Sequence, residues 1–163
     1  MYLTKNQLSS VFKNSIVVTI DLCIVDEKRL LLGKRLNPPA KDFYFVPGGR
    51  IRKGENIKVA LTRILKNETG QSIIKEREEN IKFLGVYEHF YEENFLGNKR
   101  YKSQYIVLSY FLPVICLSEF NKDVFNNQHS DYIWQNYQDP TLNMKIHNYT
   151  KNYFPIIKTL NTI

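Results

Sequence analysis

The sequence predicts an α/β (α+β) chain in which a mixed β-sheet lies between helices, an α/β/α layering. Three observations carry this: a β-branched apolar run at 16–25, an amphipathic helical stripe beginning after Asn56, and two further strand-like runs before a closing helix.

Residues 16–25 (IVVTIDLCIV) are β-branched and apolar, which reads as a largely buried strand. After a turn at 26–28, residues 29–34 read as its hairpin partner. Residues 37–42 carry Pro38 and Pro39 and form a loop, and 43–46 is a short aromatic strand halted by Pro47, Gly48 and Gly49. Ile57, Ala60, Leu61, Ile64 and Leu65 then follow a helical period. Asn56 is placed to cap that helix, and Gly70 to end it in the left-handed conformation. Strands are expected at 82–91, 104–114 and, shorter, 131–134. The last helix, 149–160, should bend or start late because of Pro155.

At 163 residues and 43% hydrophobic content, one compact domain over 1–163 is expected and wholesale disorder is excluded. The net charge of +7 suits an anionic ligand, although charge alone does not separate nucleic acid from a nucleotide diphosphate. The basic residues are scattered, so there is no polybasic tail. Cys23 and Cys116 lie in apolar runs and read as small buried hydrophobes, with no zinc spacing. The opening MYLTKNQLSSVFKNS lacks the apolar core of a secretory signal, and no window approaches the roughly twenty apolar residues of a membrane span. A reducing cytoplasm and no membrane partner are the expectations.

One residue breaks the helical pattern. Glu68 follows Ile64 by four positions, Leu61 by seven and Ile57 by eleven, which puts it on the apolar stripe. A carboxylate aimed inward needs a cation or hydrogen-bond donors. The alternative is that it frays into solvent or pairs with a lysine. It has company, however: a Gly-Gly turn, then Arg50, Glu55 and Arg63. Five residues separate Gly49 from Glu55 and seven separate Glu55 from Arg63, with Glu68 and Gly70 beyond. This spacing resembles the Nudix box, a loop-helix signature that implies a divalent cation held against a substrate's diphosphate. Glu55 and Arg63 fit an ion pair bracing that loop better than a contact to substrate.

Where the usual box has two further glutamates, this chain has Ile64 and Asn67, so a site for several metal ions is hard to build. The segments LLLGKRLNPPAKDFYFVPGGRI, YEHFYEENF and NNQHSDYIW resemble the GDP-mannose mannosyl hydrolase branch, which lacks the same two glutamates. That resemblance implies a Nudix fold and hydrolysis of a GDP-sugar at the anomeric carbon with inversion. It implies one Mg²⁺, with Mn²⁺ as a substitute, bound by Glu68, the Gly48 carbonyl and Gln128. It further implies His129 as general base, Arg35 and Arg50 on the diphosphate, Asp21 and Tyr105 ordering sugar and arginine, and His89 in the site region. A GDP-sugar as partner, a homodimer and no nucleic-acid role follow from the same resemblance.

The chemistry is coherent. Charge grows on the departing diphosphate oxygen, and one metal with a guanidinium fork offsets it. A histidine near its ordinary pKa can take the water's proton at neutral pH. Simpler readings stand beside these. His129 could be a solvated loop histidine, Arg35 a surface cation, and Asp21 and Arg35 a structural salt bridge across the hairpin. Tyr87, Phe90 and Tyr91 fit core or dimer contacts. Two other functions stay open: a pyrophosphatase attacking phosphorus, and a non-catalytic nucleotide-sugar or nucleic-acid binder.

Overall fold

Thr4 and Gln7 open the chain with a reciprocal cap. The Thr4 hydroxyl accepts from the Gln7 backbone N–H at 3.3 Å, and the Gln7 side chain accepts from the Thr4 N–H at 2.9 Å. They start helix α1 (Lys5–Asn14), which the sequence reading did not anticipate although Thr-x-x-Gln was its signal. The structure is a computed structural model that describes residues 3–97, 99, 101–125, 129–139 and 145–160.

Strand β1 (Val17–Asp26) follows, and its two-residue period sorts the core. Ile20, Leu22 and Ile24 pack against Ala60, Leu61, Ile64 and Leu65 of helix α2 (Ile57–Thr69). Cys23 and Val25, on the other face, pack against Tyr153, Phe154 and Ile157 at the C-terminal end. The sheet therefore has a helical layer on each side. Its central path runs β3 (Tyr44–Phe45), β2 (Arg29–Arg35), β1, β6 (Ser103–Pro113) and β5 (Lys82–Tyr91). Two short additions complete the seven strands: β4 (Gly48–Arg50) pairs with β1, and β7 (His129–Asn136) pairs with β2. The β1–β6 pair is parallel and the others antiparallel, so the sheet is mixed as expected.

Helix α2 has the ends its sequence specifies. Asn56 Oδ1 accepts from the Val59 N–H at 2.9 Å, and Gly70 closes the helix at φ +72°. Glu68 is buried, so its place on the apolar stripe is real. The short helix α3 (Lys122–Phe125) packs on α2. The closing helix is divided into α4 (Asn148–Lys151) and α5 (Phe154–Leu160), with Pro155 in the first turn of the second, where its missing N–H costs least. Cys23 and Cys116 are both free and buried. Among the described residues, no helix is long and apolar enough to cross a membrane.

Gly70 is under two constraints at once. Its backbone is left-handed, and a Cβ there would lie 2.5 Å from Asn121 Cβ. Gly70→Ala should therefore lower stability by about 1–3 kcal/mol, read as a shift in the urea midpoint at constant slope. An unshifted midpoint would show that the cap relaxes without cost.

Candidate active site

Two strands meet closely at the mouth of the β1–β4 pair. Asp21 is paired in register with Gly48, and a Cβ on Gly48 would lie 2.7 Å from Asp21 Oδ1 and from the Ile20 carbonyl oxygen. Only glycine lets the backbone approach this closely. Beyond β4 the loop is pinned to the helix. Arg63 donates through Nε to Glu55 Oε1 at 2.5 Å and through a terminal nitrogen to Glu55 Oε2 at 2.7 Å. The same guanidinium reaches the Arg50 carbonyl at 2.9 Å, and Glu55 Oε2 accepts the Arg52 N–H at 2.9 Å. This fork holds the Glu55 carboxyl down at about 2. The bracing role expected for Glu55 and Arg63 is the geometry observed.

The pinned loop closes one wall of a cavity of about 380 Å³. Seven of the nine residues expected to bind or react line it: Asp21, Arg35, Gly48, Arg50, Glu68, His89 and Tyr105. They come from β1, β2, β4, α2, β5 and β6, and no two are adjacent in the chain. Arg52 and Arg63 also line it; with Arg63 held by Glu55, three further arginines, Arg35, Arg50 and Arg52, share the wall with Asp21 and Glu68. Burial, and then Arg52 and Arg63, lower the Arg50 pKa, a strain that an anionic ligand relieves. Arg35 is aimed by its own loop: its Nε donates to the Pro39 carbonyl at 2.8 Å, and its Cζ lies 5.9 Å from the Phe45 ring centroid.

Asp21 and Arg35 do not form the ion pair that the hairpin allowed; the carboxylate takes a phenol instead. Tyr153 Oη donates to Asp21 Oδ2 at 2.7 Å. Burial outweighs this bond and the field of Arg35, and lifts the Asp21 carboxyl from 3.8 to about 7. Tyr153 Oη also lies 3.4 Å from His89 Nε2. The His89 ring stacks on Tyr149 at 4.0 Å with 7° between planes, and burial lowers its pKa to about 4. Tyr149 and Tyr153 were missed in the sequence. Their signal was an i, i+4 tyrosine pair on a helical segment.

His129 lies elsewhere. It opposes Arg35 in the β2–β7 register but does not line the cavity. Its ring is buried, stacked on Phe125 at 4.3 Å, and a Cβ on Gly33 would collide with it. Nδ1 is 3.3 Å from the Phe125 carbonyl, which can only accept, so Nδ1 carries the proton and Nε2 keeps its lone pair. Burial lowers its pKa to about 4, so it does not keep the ordinary histidine value expected from the sequence. Gln128, the other residue expected from this segment, lies outside the described residues. Phe95, in the segment between β5 and β6, also lines the site.

A model of the NUDIX domain family matches residues 16–159. The chain belongs to the Nudix family. Over 87 residues it is 37% identical to the low-salt glycan biosynthesis protein Agl8 of Haloferax volcanii, covering 53% of each chain. Over 53 residues it is 40% identical to an ADP-ribose pyrophosphatase of Methanocaldococcus jannaschii, covering 32% of this chain and 31% of that one. The matches thus span about half, or less, of the length of these curated relatives. Among solved structures, a MutT NUDIX hydrolase from Burkholderia pseudomallei superposes with a TM-score of 0.71 at 20% identity, over 88% of this chain and 99% of that one. A NUDIX hydrolase from Nitrosomonas europaea gives 0.66 at 16% identity, over 89% and 90%. These likenesses show a shared fold.

The shifted groups make stability depend on pH. Between about 4 and 6.5, folded His89 and His129 hold fewer protons than the unfolded chain, so their contribution weakens as pH falls through that window. Asp21 has the opposite imbalance between 3.8 and about 7, so its contribution weakens as pH rises. His89→Gln should therefore flatten the acid side of the stability profile, measured by urea unfolding across that range. A slope as steep as that of the unmutated protein would mean that His89 is protonated when folded.

Proposed function

We propose that the chain hydrolyses a GDP-sugar, with GDP-mannose the leading candidate, to GDP and free sugar by attack of water at the anomeric carbon. The observation that carries this is the charge balance of the cavity: besides Arg63, which Glu55 neutralises, Arg35, Arg50 and Arg52 line it, and α2 supplies only one carboxylate, Glu68. Such a balance suits a diphosphate that leaves whole. The name of the Haloferax relative, a glycan biosynthesis protein, supports a sugar-bearing substrate.

The donor set fits one hard cation. Glu68 is buried in the cavity wall, while Ile64 and Asn67 add no second carboxylate. Among the described residues, no group of three or more His, Cys, Asp or Glu is gathered for a metal ion. Glu68 and the Gly48 carbonyl would hold Mg²⁺, or Mn²⁺ in its place, with Gln128 as the third proposed ligand. When bound, the ion would offset charge on the diphosphate oxygens. Arg35 and Arg50 bind and orient those oxygens. The attacking water forms its bond to the anomeric carbon, the carbon–oxygen bond breaks, and its electron pair stays on the diphosphate. His129 is the proposed acceptor of the water's proton. Its Nε2 lone pair suits that role, which requires the water to lie on the Arg35 side of the site.

A second reading, attack on phosphorus, has one observation in its favour: the ADP-ribose pyrophosphatase of Methanocaldococcus jannaschii among the relatives. Products separate the two. With GDP-mannose in ¹⁸O-water, attack at carbon puts the label in the sugar and none in GDP, whereas GMP, or label on phosphate, would establish the second reading.

Glu68→Gln should nearly abolish turnover, and His129→Gln should lower it by roughly 10² to 10⁴ with little change in substrate binding. Full activity in the first variant would remove the one-metal assignment. Full activity in the second would move the base to the cavity wall.

A further inference from the structure

We propose that Tyr153 is a positioning residue of this site, its single hydroxyl fixing both the Asp21 carboxylate and the proton placement of the His89 ring. The inference rests on the functional reading above for its catalytic consequence, and on hydrogen-bond geometry alone for the arrangement itself.

A phenol has one proton to give. Above neutral pH, where the Asp21 carboxyl is ionised, Tyr153 Oη at 2.7 Å from Oδ2 donates its proton to the carboxylate, which then only accepts. The same oxygen then faces His89 Nε2 as an acceptor, at 3.4 Å. His89 must carry its proton on Nε2, and Nδ1 keeps the lone pair. One hydroxyl therefore assigns the donor and acceptor at both neighbours. Its own place is over-determined: Tyr153 is fully buried, and its ring meets Tyr87 edge-on at 4.8 Å. His89 is equally confined, stacked on Tyr149 and edge-on to Phe45 at 5.9 Å. Tyr149 Oη in turn joins the Phe90 N–H and carbonyl, at 2.9 and 3.0 Å, tying the C-terminal segment to the end of β5.

The consequence for the cavity is orientation. Holding Oδ2 leaves Asp21 Oδ1 beside Gly48, another residue of the cavity wall. Without the hydroxyl the carboxylate is free to turn, and His89 loses the partner that sets its tautomer. Phe at position 153 keeps the ring packing and removes only the oxygen.

Two measurements test this. In ¹⁵N spectra of the unmutated protein above neutral pH, with His89 assigned by comparison with His89→Gln, the ring should show a protonated Nε2 whose proton exchanges slowly with water. Tyr153→Phe should lose that slow proton while keeping a native fold by circular dichroism. A His89 protonated on Nδ1, or an Nε2 proton equally slow in the variant, would overturn the proposal. This arm uses no substrate, so it stands or falls independently of the assigned reaction. In the second arm, on whichever nucleotide sugar the protein turns over, Tyr153→Phe should lower kcat by about tenfold or more, roughly the scale of one lost hydrogen bond to a charged group, with KM nearly unchanged. An unchanged kcat, or a loss confined to KM, would refute the positioning role even if the spectroscopic arm held.

Discussion

The alternation of side chains along β1 is the constraint on which the site depends. Because successive residues of a strand face opposite ways, a run that buries Ile20, Leu22 and Ile24 under α2 must send Asp21 to the other face with Cys23 and Val25. A carboxylate is thereby carried into an interior that would otherwise be apolar. The structure answers with a glycine across the strand pair, which gives Oδ1 room, and a tyrosine from the far end of the chain, which gives Oδ2 a proton. Neither could be exchanged for an aliphatic residue without leaving a buried polar atom crowded or unmet.

The second organising contact is the Glu55–Arg63 fork. Its two hydrogen bonds, together with those to the Arg50 carbonyl and from the Arg52 N–H, make loop and helix one unit. Arg50 and Arg52 are consequently brought together where their mutual repulsion is felt, and a dianionic group is the natural counterweight. Glu68 lies in the same wall, and the metal-bound diphosphate proposed above would meet both the arginines and this carboxylate.

Much of this was legible in the residues, and what was not has a physical reason. Helix α2 was readable to the residue because its period, its Asn56 cap and its Gly70 stop are local signals. Seven cavity residues were identifiable because they lie in motifs or break a hydrophobic pattern, as Glu68 does. The partner of Asp21 was not: the hairpin allowed Arg35, but the tyrosine lies 132 residues away, and no pattern within β1 points to it. Helix α1 was hidden by its polar composition, although Thr4 and Gln7 announced it. His129 shows the limit of register arguments, since being opposite Arg35 in the ladder places it beside the cavity rather than on its wall.

The division of the closing helix has a consequence for how the chain can vary. Tyr149 carries the ring under His89, and Tyr153, one turn later, carries the hydroxyl beneath Asp21. Tyr153 lies in the turn between α4 and α5, its N–H bonded to the Thr150 carbonyl at 3.1 Å, so adding or removing one residue there would redirect one tyrosine relative to the other. The four-residue interval thus acts as a fixed gauge. A change in length within it would require both tyrosines to be repositioned together.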